Sequence, residues 1–418
     1  METGLILGID LCDDYSQICY YDYKEKDVES VGLSIRESKY QIPTAVCKQK
    51  GGDEWYAGDD GVKCRLLEKG IYVDRLLSKV RQGAPVEVEE LTVMPFELLT
   101  IFLKYLVKAA EVRCQKKDIQ KIYVTVENFT KDIIDTIKKS FKELGIEADK
   151  VKVLNHQESY IYYSMSQPRE LWNSDVALFD YTEDGLAYYR MYTANIKKQK
   201  VVMVEKNDMH EQFTYDMVEK EETDERLLEK VKQLFNKKVI NTVYVTGSGF
   251  KKADWAKQTL NYICNKRRVF AGQNLFAKGA CYAAVEDING SFVNEYMLAC
   301  RDRITTRVEI DASDNADEEG RYILVKEGCN WTDAEVNMDF ILTDEMCIRL
   351  YITPVDTMIS REEVIELEGF PKRPPKTTRI NLRIHFDSDN KMLIQIRDKG
   401  FGEFFRASNK IVSSEIIL

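Results

Sequence analysis

The stretch Leu5-Ile6-Leu7-Gly8-Ile9-Asp10, followed by a polar turn and the returning run Ile18 to Tyr21, is the best guide to the fold of this chain. The apolar run predicts a buried strand that ends at an aspartate, and the turn predicts a hairpin. The pattern recurs in Val176-Ala177-Leu178-Phe179-Asp180, which leads through a turn ending at Gly185 into Leu186 to Met191. The spacing of the two copies is too long for a solenoid repeat and is typical of a domain duplicated once.

An aspartate at the end of each buried strand indicates a possible chemistry. Such a carboxylate can hold a hydrated cation, while the amides of the adjoining turn face an anion. Two units of this kind facing one another form a phosphate cleft. The alternative is that the two hairpins are unrelated.

The composition narrows the class of protein. A chain of 418 residues suggests two or three domains. The formal net charge of −10 argues against nucleic-acid binding, which needs clustered cations. The sequence contains neither a long apolar run nor a basic leader, so we expect no membrane span and no signal peptide.

The cysteines and histidines indicate the compartment. The 10 cysteines are scattered singly and several lie in apolar patterns, as in a reduced, cytoplasmic protein. His156, His210 and His385 lie far apart and away from any cysteine pair, so the spacing predicts no zinc site.

Strands and helices alternate along the first part of the chain, which predicts an α/β domain over residues 1–289. The predicted helices are 96–112, 132–144, 156–165, 224–236, 254–264 and 275–285. Thr223 is the expected N-cap of the fourth of these helices.

The pattern changes after Asn289-Gly290, where helical periodicity nearly disappears. Alternating segments predict an antiparallel β-sandwich over residues 290–418, with an acidic loop at 311–320. The predicted strands are 303–310, 322–326, 347–352, 364–367, 380–386, 391–396 and 409–417.

Several short motifs occur in an order that resembles one known family, the DnaK-type seventy-kilodalton heat-shock chaperones of the actin-like ATPase superfamily. In the first domain these motifs are Gly8-Ile9-Asp10-Leu11, Ile42-Pro43-Thr44, Lys63, 123–129, 176–189, Val245-Thr246-Gly247-Ser248-Gly249 and 273–280. In the second domain they are Glu366-Leu367-Glu368-Gly369-Phe370-Pro371, Pro374-Pro375, Phe386-Asp387-Ser388-Asp389 and Arg397-Asp398-Lys399-Gly400.

The resemblance implies a duplicated, actin-like nucleotide-binding domain followed by a β-sandwich that holds extended hydrophobic peptides. It implies that Lys63 is the catalytic lysine and that Asp10 and Asp180 organise Mg²⁺. The nucleotide would be held by Asp10, Leu11, Asp180, Gly185, Gly247, Ser248 and Gly249. Met346 and Ile348 fall near the peptide groove, although ordinary sandwich core is the alternative for both. Lys63, likewise, is either a relic of catalysis or a surface lysine.

The positions that would carry ATP hydrolysis depart from the family pattern. The first phosphate turn reads Cys12-Asp13-Asp14, and the second reads Glu183-Asp184 where glycines are usual. The Asn-Glu-Pro-Thr motif of the family is replaced by Asn155-His156-Gln157-Glu158, in which Glu158 could act only with a shift of two positions. Carboxylates repel a phosphate by about 4 kcal/mol at 4 Å and an effective dielectric of 20.

Two segments of the family pattern are also short. The segment between Asp180 and Gly247 leaves little room for the upper part of the second lobe, which we expect to be reduced. No helical lid follows the last predicted strand.

We therefore expect a chaperone-like protein that binds a protein or peptide client, with a degenerate nucleotide cleft, no cofactor and little or no ATPase activity. A divergent ATPase in which Asp10, Lys63 and Asp180 organise Mg²⁺-ATP is the alternative. An actin-like filament protein and a calcium cluster of Asp10, Asp13, Asp14, Asp180, Glu183 and Asp184 are further alternatives.

Overall fold

A computed structural model describes residues 4–32, 40–196, 199–290, 292–312, 320–343 and 346–418. The chain divides into two compact units. The first comprises Met1–Thr193 and Met203–Glu295, and the second comprises Ala194–Val202 and Tyr296–Leu418. Most of the acidic loop predicted at 311–320 lies outside the described residues.

The first half of unit 1 contains one six-stranded mixed sheet, a three-stranded antiparallel sheet and a two-stranded antiparallel sheet. Its strands are β1 (Leu5–Asp10), β2 (Tyr15–Asp22), β3 (Asp27–Ser30), β4 (Ile42–Pro43), β5 (Val46–Gln49), β6 (Trp55–Ala57), β7 (Gly70–Val73), β8 (Val86–Val88), β9 (Leu91–Val93), β10 (Ile119–Val126) and β11 (Val151–Asn155). The helices are α1 (Gly58–Leu66), α2 (Leu76–Gln82), α3 (Pro95–Cys114), α4 (Lys131–Glu143) and α5 (His156–Ser166). The main sheet has the order β11-β10-β1-β2-β3, and β4 also pairs with β2.

The second half of unit 1 contains a sheet of the same strand order. Its strands are β12 (Asp175–Thr182), β13 (Gly185–Ile196), β14 (Gln199–Asp208), β15 (Ile240–Thr246) and β16 (Arg268–Ala271). Its helices are α6 (Glu221–Phe235), α7 (Lys257–Cys264) and α8 (Leu275–Asn289). The order is β16-β15-β12-β13-β14. Strand β12 pairs parallel with β15 and antiparallel with β13, as β1 does with β10 and β2.

All six predicted helices are present, with some differences at their ends. Helix α6 begins at Glu221, so Thr223 is not its N-cap. Thr223 is buried in the first turn, where its hydroxyl donates to the Met217 carbonyl at 2.8 Å. Before α7, residues Ala253–Ala256 form a 3₁₀ turn. The sequence analysis did not predict the seven-residue helix α2, which is too short to show a clear period.

Helix α8 packs unusually close to its neighbours in unit 1. A Cβ at Gly8 on β1 would clash with the α8 backbone at Ala277 and Cys281. A Cβ at Gly279 on α8 would clash with the Ser159 carbonyl on α5. Glycine at these two positions lets one helix contact both the first strand and the helix that follows β11.

Unit 2 contains two antiparallel four-stranded sheets. After β17 (Tyr296–Ala299), its strands are β18 (Thr306–Asp311), β19 (Arg321–Val325), β20 (Val336–Leu342), β21 (Cys347–Pro354), β22 (Arg361–Glu366), β23 (Thr378–Ser388), β24 (Lys391–Gly400) and β25 (Ile411–Ile417). The sheet orders are β19-β18-β21-β22 and β20-β23-β24-β25. Side chains alternate between buried and exposed along β21, β23 and β24, so each sheet has one buried face.

Strand β20 is the one strand of these two sheets that the sequence analysis missed. Its Val336, Met338 and Phe340 alternate with the exposed Asn337 and Asp339, as in a half-buried strand. Asn337 and Asp339 accept hydrogen bonds from the Asn381 amide on β23, at 2.9 Å and 2.8 Å. These cross-strand bonds lie on the exposed face of the sheet.

Two predictions from the sequence concern the environment of the protein, namely reduced cysteines and no membrane span. All 10 cysteines are free, as expected for a reduced protein. Among the described residues, no helix combines the length and the apolarity needed to cross a membrane.

Candidate functional site

The candidate site lies in unit 1, where the ends of several strands meet. Strands β1, β10 and β11 run parallel, so Asp10 pairs with Thr125 and Asn155 pairs with Val126 at the same edge of the sheet. Strand β12 brings Asp180 to the corresponding edge of the second sheet, beside Thr246. The two aspartates predicted from the sequence therefore hold equivalent places in the two sheets.

His156 is the partner of Asp10. It is the first residue of α5, and its Nε2 lies 2.9 Å from Asp10 Oδ1. Its ring stacks on Phe276 with centroids 4.0 Å apart and an interplanar angle of 8°. Burial alone would lower the pKa of His156, but the carboxylate of Asp10 raises it above its ordinary value. The two side chains form a buried, charge-neutralising pair.

Asp180 lies in the same electrostatic environment. It is 9% exposed, and burial raises its pKa to about 7, with the charges of Glu127 and Asp10 adding to the shift. No described residue donates a hydrogen bond to its carboxylate.

A second charged group lies next to Asp180 and was not predicted. Lys206 donates to Glu127 at 2.9 Å and lies 2.6 Å from Asp208. His210 Nε2 lies 3.6 Å from the same Asp208 oxygen. Burial alone would raise the pKa of Glu127, but His156 and Lys206 hold it below its ordinary value. Lys206 therefore supplies a fixed positive charge at this end of the site.

The first phosphate turn makes its own contacts within the protein. Asp13 accepts hydrogen bonds from the Ser78 amide at 2.8 Å, the Ser78 hydroxyl at 2.7 Å and Arg81 at 2.6 Å. The Leu11 amide, which would face a phosphate in the family, donates to the Thr125 carbonyl at 3.0 Å. Burial and the charges of Glu183 and Asp184 raise the pKa of Asp14.

The second turn places Gly185 at the hairpin between β12 and β13. Its φ is +116°, and a Cβ there would lie 2.7 Å from His210 Cα. The glycine is thus needed for packing against the following segment.

The turn expected to hold adenosine is covered by aromatic side chains. Gly247 has φ +93° and packs against the Tyr181 backbone, and a Cβ at Gly249 would lie 2.8 Å from the Tyr181 ring. The Tyr181 ring contacts Phe250 and Trp255, with centroids 5.8 Å and 5.9 Å away. The buried Ser248 hydroxyl has no hydrogen-bond partner within the described part of the chain.

Lys63 lies on the exposed side of α1. Its Nζ pairs with Asp60 at 2.9 Å, and its side chain is 70% exposed. No described contact joins it to Asp10 or Asp180.

A cavity of about 910 Å³ opens beside the two phosphate turns. Its lining contains five carboxylates against two cationic side chains, Arg65 and Lys251. The acidic residues are Asp13, Asp14, Asp59, Asp74 and Glu183. This balance of charge disfavours a polyanion such as a triphosphate.

The remaining residues predicted as sites are the six carboxylates proposed for calcium and Glu158. The six carboxylates proposed for calcium do not converge as one set, because Asp10 pairs with His156 and Asp13 with Arg81. Among the described residues, the groups that could hold a metal are Asp10-Cys12-His156 and Glu127-Asp208-His210. Glu158 is fully buried, and its amide donates to the Asn155 cap.

The two residues proposed for the peptide groove differ in exposure. Ile348 is 3% exposed and belongs to the buried face of β21, so it offers almost no surface to a peptide. Met346 is half-buried, and its carbonyl accepts a hydrogen bond from the Leu367 amide at 2.9 Å.

Besides the Lys206 group, the sequence analysis missed His156 and Cys12 as site residues. His156 stands where the family motif has its glutamate, so alignment without the two-position shift would have pointed to it. Cys12 lies two residues from Asp10, but His156, the other member of the group, comes from a distant part of the chain.

Comparison with known proteins assigns the chain to a family without giving a function. A comparison with curated proteins finds no match. Residues 303–418 match a domain of unknown function, DUF8552. Residues 27–301, roughly two thirds of the chain, match the C-terminal model of the family of unknown function DUF5716. The chain therefore belongs to the DUF5716 family.

Proposed function

We propose that this protein binds an extended protein or peptide client in a chaperone-like manner, on an actin-like scaffold that does not use ATP. The observation that carries the proposal is the buried pair of Asp10 and His156, with 2.9 Å between Nε2 and Oδ1. This pair supports the ATP-independent part of the proposal, because Mg²⁺ prefers oxygen ligands alone and Asp10 here faces an imidazole nitrogen.

The actin-like scaffold is inferred from the two sheets of unit 1. Both combine a central strand, an antiparallel partner on one side and two parallel strands on the other. Each central strand carries an aspartate near its carboxyl end, Asp10 or Asp180. This equivalence supports a duplicated domain that descends from a nucleotide-binding ancestor.

The residues around the cleft do not fit Mg²⁺-ATP. The cavity beside the turns is lined by five carboxylates, and each would repel a phosphate by about 4 kcal/mol at 4 Å and an effective dielectric of 20. Tyr181 packs against Gly247 and Gly249, where the family would place adenosine. Lys63 is paired with Asp60 at the surface. These three features together support a cleft that has lost its nucleotide.

We place the client site at an edge strand of unit 2. Strand β25 is an edge strand with one charged residue in seven, and it carries Ile411 and Ile417, which are 46% and 55% exposed. The edge strand β22 carries four charged residues in six, which protect it from pairing with another chain. Among the described edge strands with a single charged residue, β19, β20 and β25, strand β25 carries the most exposed pair of apolar side chains. Because an extended peptide can add to a weakly protected edge through backbone hydrogen bonds, we assign β25 as the docking strand.

A thermal-shift experiment tests the nucleotide part of the proposal. The full chain is heated with and without Mg²⁺-ATP, and we expect the melting temperature to stay unchanged. A ligand at 100 times its Kd would add about 2.7 kcal/mol of stability. A clear upward shift that disappears in Asp180→Asn would favour the ATPase alternative.

A peptide array probed with the full chain tests the client site. We expect Ile411→Lys to reduce binding of extended apolar peptides, because a lysine on β25 disfavours strand addition. Val364→Lys on β22 is the matched control, since Val364 is also 46% exposed. Equal binding by the two variants, or silence of the folded wild type, would contradict the assignment.

A further inference from the structure

The proposed function does not use the group of potential metal ligands formed by Asp10, Cys12 and His156. We propose that these three residues are ligands of a zinc-type divalent metal ion, bound where β1 ends and α5 begins. The spacing of histidines and cysteines in the sequence predicts no zinc site, but the fold brings His156 to Cys12. The site is independent of the client-binding strand.

The distances suit a small tetrahedral ion. The three ligand atoms lie within 4.8 Å of one another, with 3.4 Å between Cys12 Sγ and Asp10 Oδ1 and 2.9 Å between His156 Nε2 and the same oxygen. Zinc bonds of about 2.0–2.3 Å give ligand-to-ligand edges of roughly 3.3–3.5 Å. The sulfur–oxygen edge already has this length, and the nitrogen–oxygen edge must open by roughly 0.4 Å.

The chemistry of the donors selects the class of metal. A thiolate, an imidazole nitrogen and a carboxylate oxygen form a mixed set that zinc and similar transition metals prefer. Magnesium and calcium prefer oxygen ligands alone, so they fit this set poorly. On binding, the metal displaces the thiol proton of Cys12 and the proton shared by His156 and Asp10, and both are released to solvent.

Asp180 is the independent observation that points to a ligand at this place. It is 9% exposed and receives no hydrogen bond from any described residue, and its charge acts on both His156 and Cys12. A buried carboxylate without a partner is costly unless a cation or a donor compensates it. Asp180 does not belong to the ligand atoms that lie within 4.8 Å of one another, so it contributes negative charge near the ion rather than a fourth ligand.

The ion has a route to these ligands. Cys12 is half-buried, and its neighbour Asp13 lines the acidic cavity of about 910 Å³. The carboxylates of that cavity attract cations and repel anions.

The second candidate group, Glu127, Asp208 and His210, is less suitable. Lys206 Nζ lies 2.9 Å from Glu127 and 2.6 Å from Asp208, so an ammonium group already neutralises these carboxylates. A divalent ion there would have to displace a buried lysine.

Cobalt substitution tests the site, because Co²⁺ replaces zinc and reports its ligands by absorption. The chelator-treated full chain is titrated with Co²⁺. We expect one equivalent to bind, with the visible bands of a tetrahedral ion and a near-ultraviolet band from a cysteine thiolate. Zinc should then remove both signals by competition. A wild type that shows no such bands overturns the proposal.

Variants separate this site from adventitious binding. Cys12→Ser should remove the thiolate band, and His156→Ala should weaken binding by about 100-fold or more, since ligand loss costs more than loss of a supporting contact. Cys264→Ser, at an exposed cysteine, and His210→Ala, in the rejected group, should leave the bands unchanged. If the thiolate band survives in Cys12→Ser or is lost in Cys264→Ser, the assignment is wrong.

Discussion

At the scale of single residues, His156 determines what the candidate site can do. It begins a helix directly after β11, so its imidazole is held beside Asp10 by the backbone, by the Phe276 ring and by one ion pair. A glutamate at this position would leave the site strongly acidic. With histidine, Asp10 has a hydrogen-bond partner within the protein, and the site gains a nitrogen ligand that a glutamate would not offer.

The contribution of the Asp10–His156 pair to the free energy of unfolding can be measured. We expect His156→Ala to lower the free energy of unfolding by about 3–5 kcal/mol in metal-free buffer, because it leaves Asp10 buried without its partner. The double variant with Asp10→Asn should recover part of that loss, because the stranded charge is gone. Denaturant titration followed by circular dichroism measures both. A cost below about 1 kcal/mol for the single variant would contradict the buried ion pair.

Lys63 provides the opposite case. Its pair with Asp60 is solvent-exposed, so Lys63→Ala should leave the free energy of unfolding close to that of the wild type. The same denaturant titration measures it. If Lys63 were catalytic, the wild type would turn over ATP and Lys63→Ala would lose this activity. We expect no measurable ATP turnover in the wild type or in the variant.

Asp398 in unit 2 gives a pH dependence. Its carboxylate is fully buried and bonds Arg373 at 2.7 Å and 2.8 Å, together with the Ser408 and Gly400 amides. Burial alone would raise the pKa of Asp398, but these donors hold it well below its usual range. The stabilisation is therefore complete above the unfolded pKa of about 3.9 and is lost as the pH falls below it.

Comparison with Asp398→Asn isolates this contribution. At pH 7 we expect the variant to be about 3–5 kcal/mol less stable, because Arg373 stays buried without its partner. The difference between wild type and variant should shrink as the pH falls from about 4 towards 3, because the unfolded wild type then takes up a proton at Asp398 that the folded state does not. Melting curves of the two full chains across this range measure it. A difference that is constant with pH would show that Asp398 is not ionised in the folded state.

At the scale of elements, the contact of α8 with β1 and α5 depends on small residues. Gly279→Ala improves the intrinsic helix propensity by about 1 kcal/mol. Its new methyl group, however, would overlap the Ser159 carbonyl of α5, and overpacking of this kind costs about 1–3 kcal/mol or more. We expect the clash to dominate, so that the variant is destabilised.

Gly272→Ala is the matched control for this prediction. No atom lies within 4 Å of a Cβ at that position, so the substitution should be close to neutral. Thermal melting of both variants decides the question. An equally stable Gly279→Ala would mean that α5 and α8 can separate without cost.

At the scale of the whole molecule, the chain consists of two compact units with separate cores. We expect calorimetry to resolve two unfolding transitions, because two-state behaviour commonly fails for chains with several domains. Gly279→Ala should lower the transition of unit 1, and Asp398→Asn should lower that of unit 2. A single transition that shifts in both variants would show that the two units unfold together.

The sequence alone determined the elements with strong local signals. The hairpins at Asp10 and Asp180, the long helices α3 and α8 and most strands of unit 2 follow from hydrophobic periodicity and turn residues, which act over a few positions. The seven-residue helix α2 had no comparable local signal, whereas β20 does alternate and was overlooked. Their stability comes from contacts with other parts of the chain.

Only the tertiary structure decided how the site is assembled. Asp10, Cys12 and His156 come from the end of one strand, the turn after it and the start of a helix far along the chain. Likewise, Tyr181 packs against Gly247 and Gly249 only because β12 and β15 are adjacent in the sheet. Local sequence carries propensity and charge, but burial and distance arise when strands pair. For that reason the sequence indicated a degenerate cleft, whereas only the fold showed that His156 lies beside Asp10.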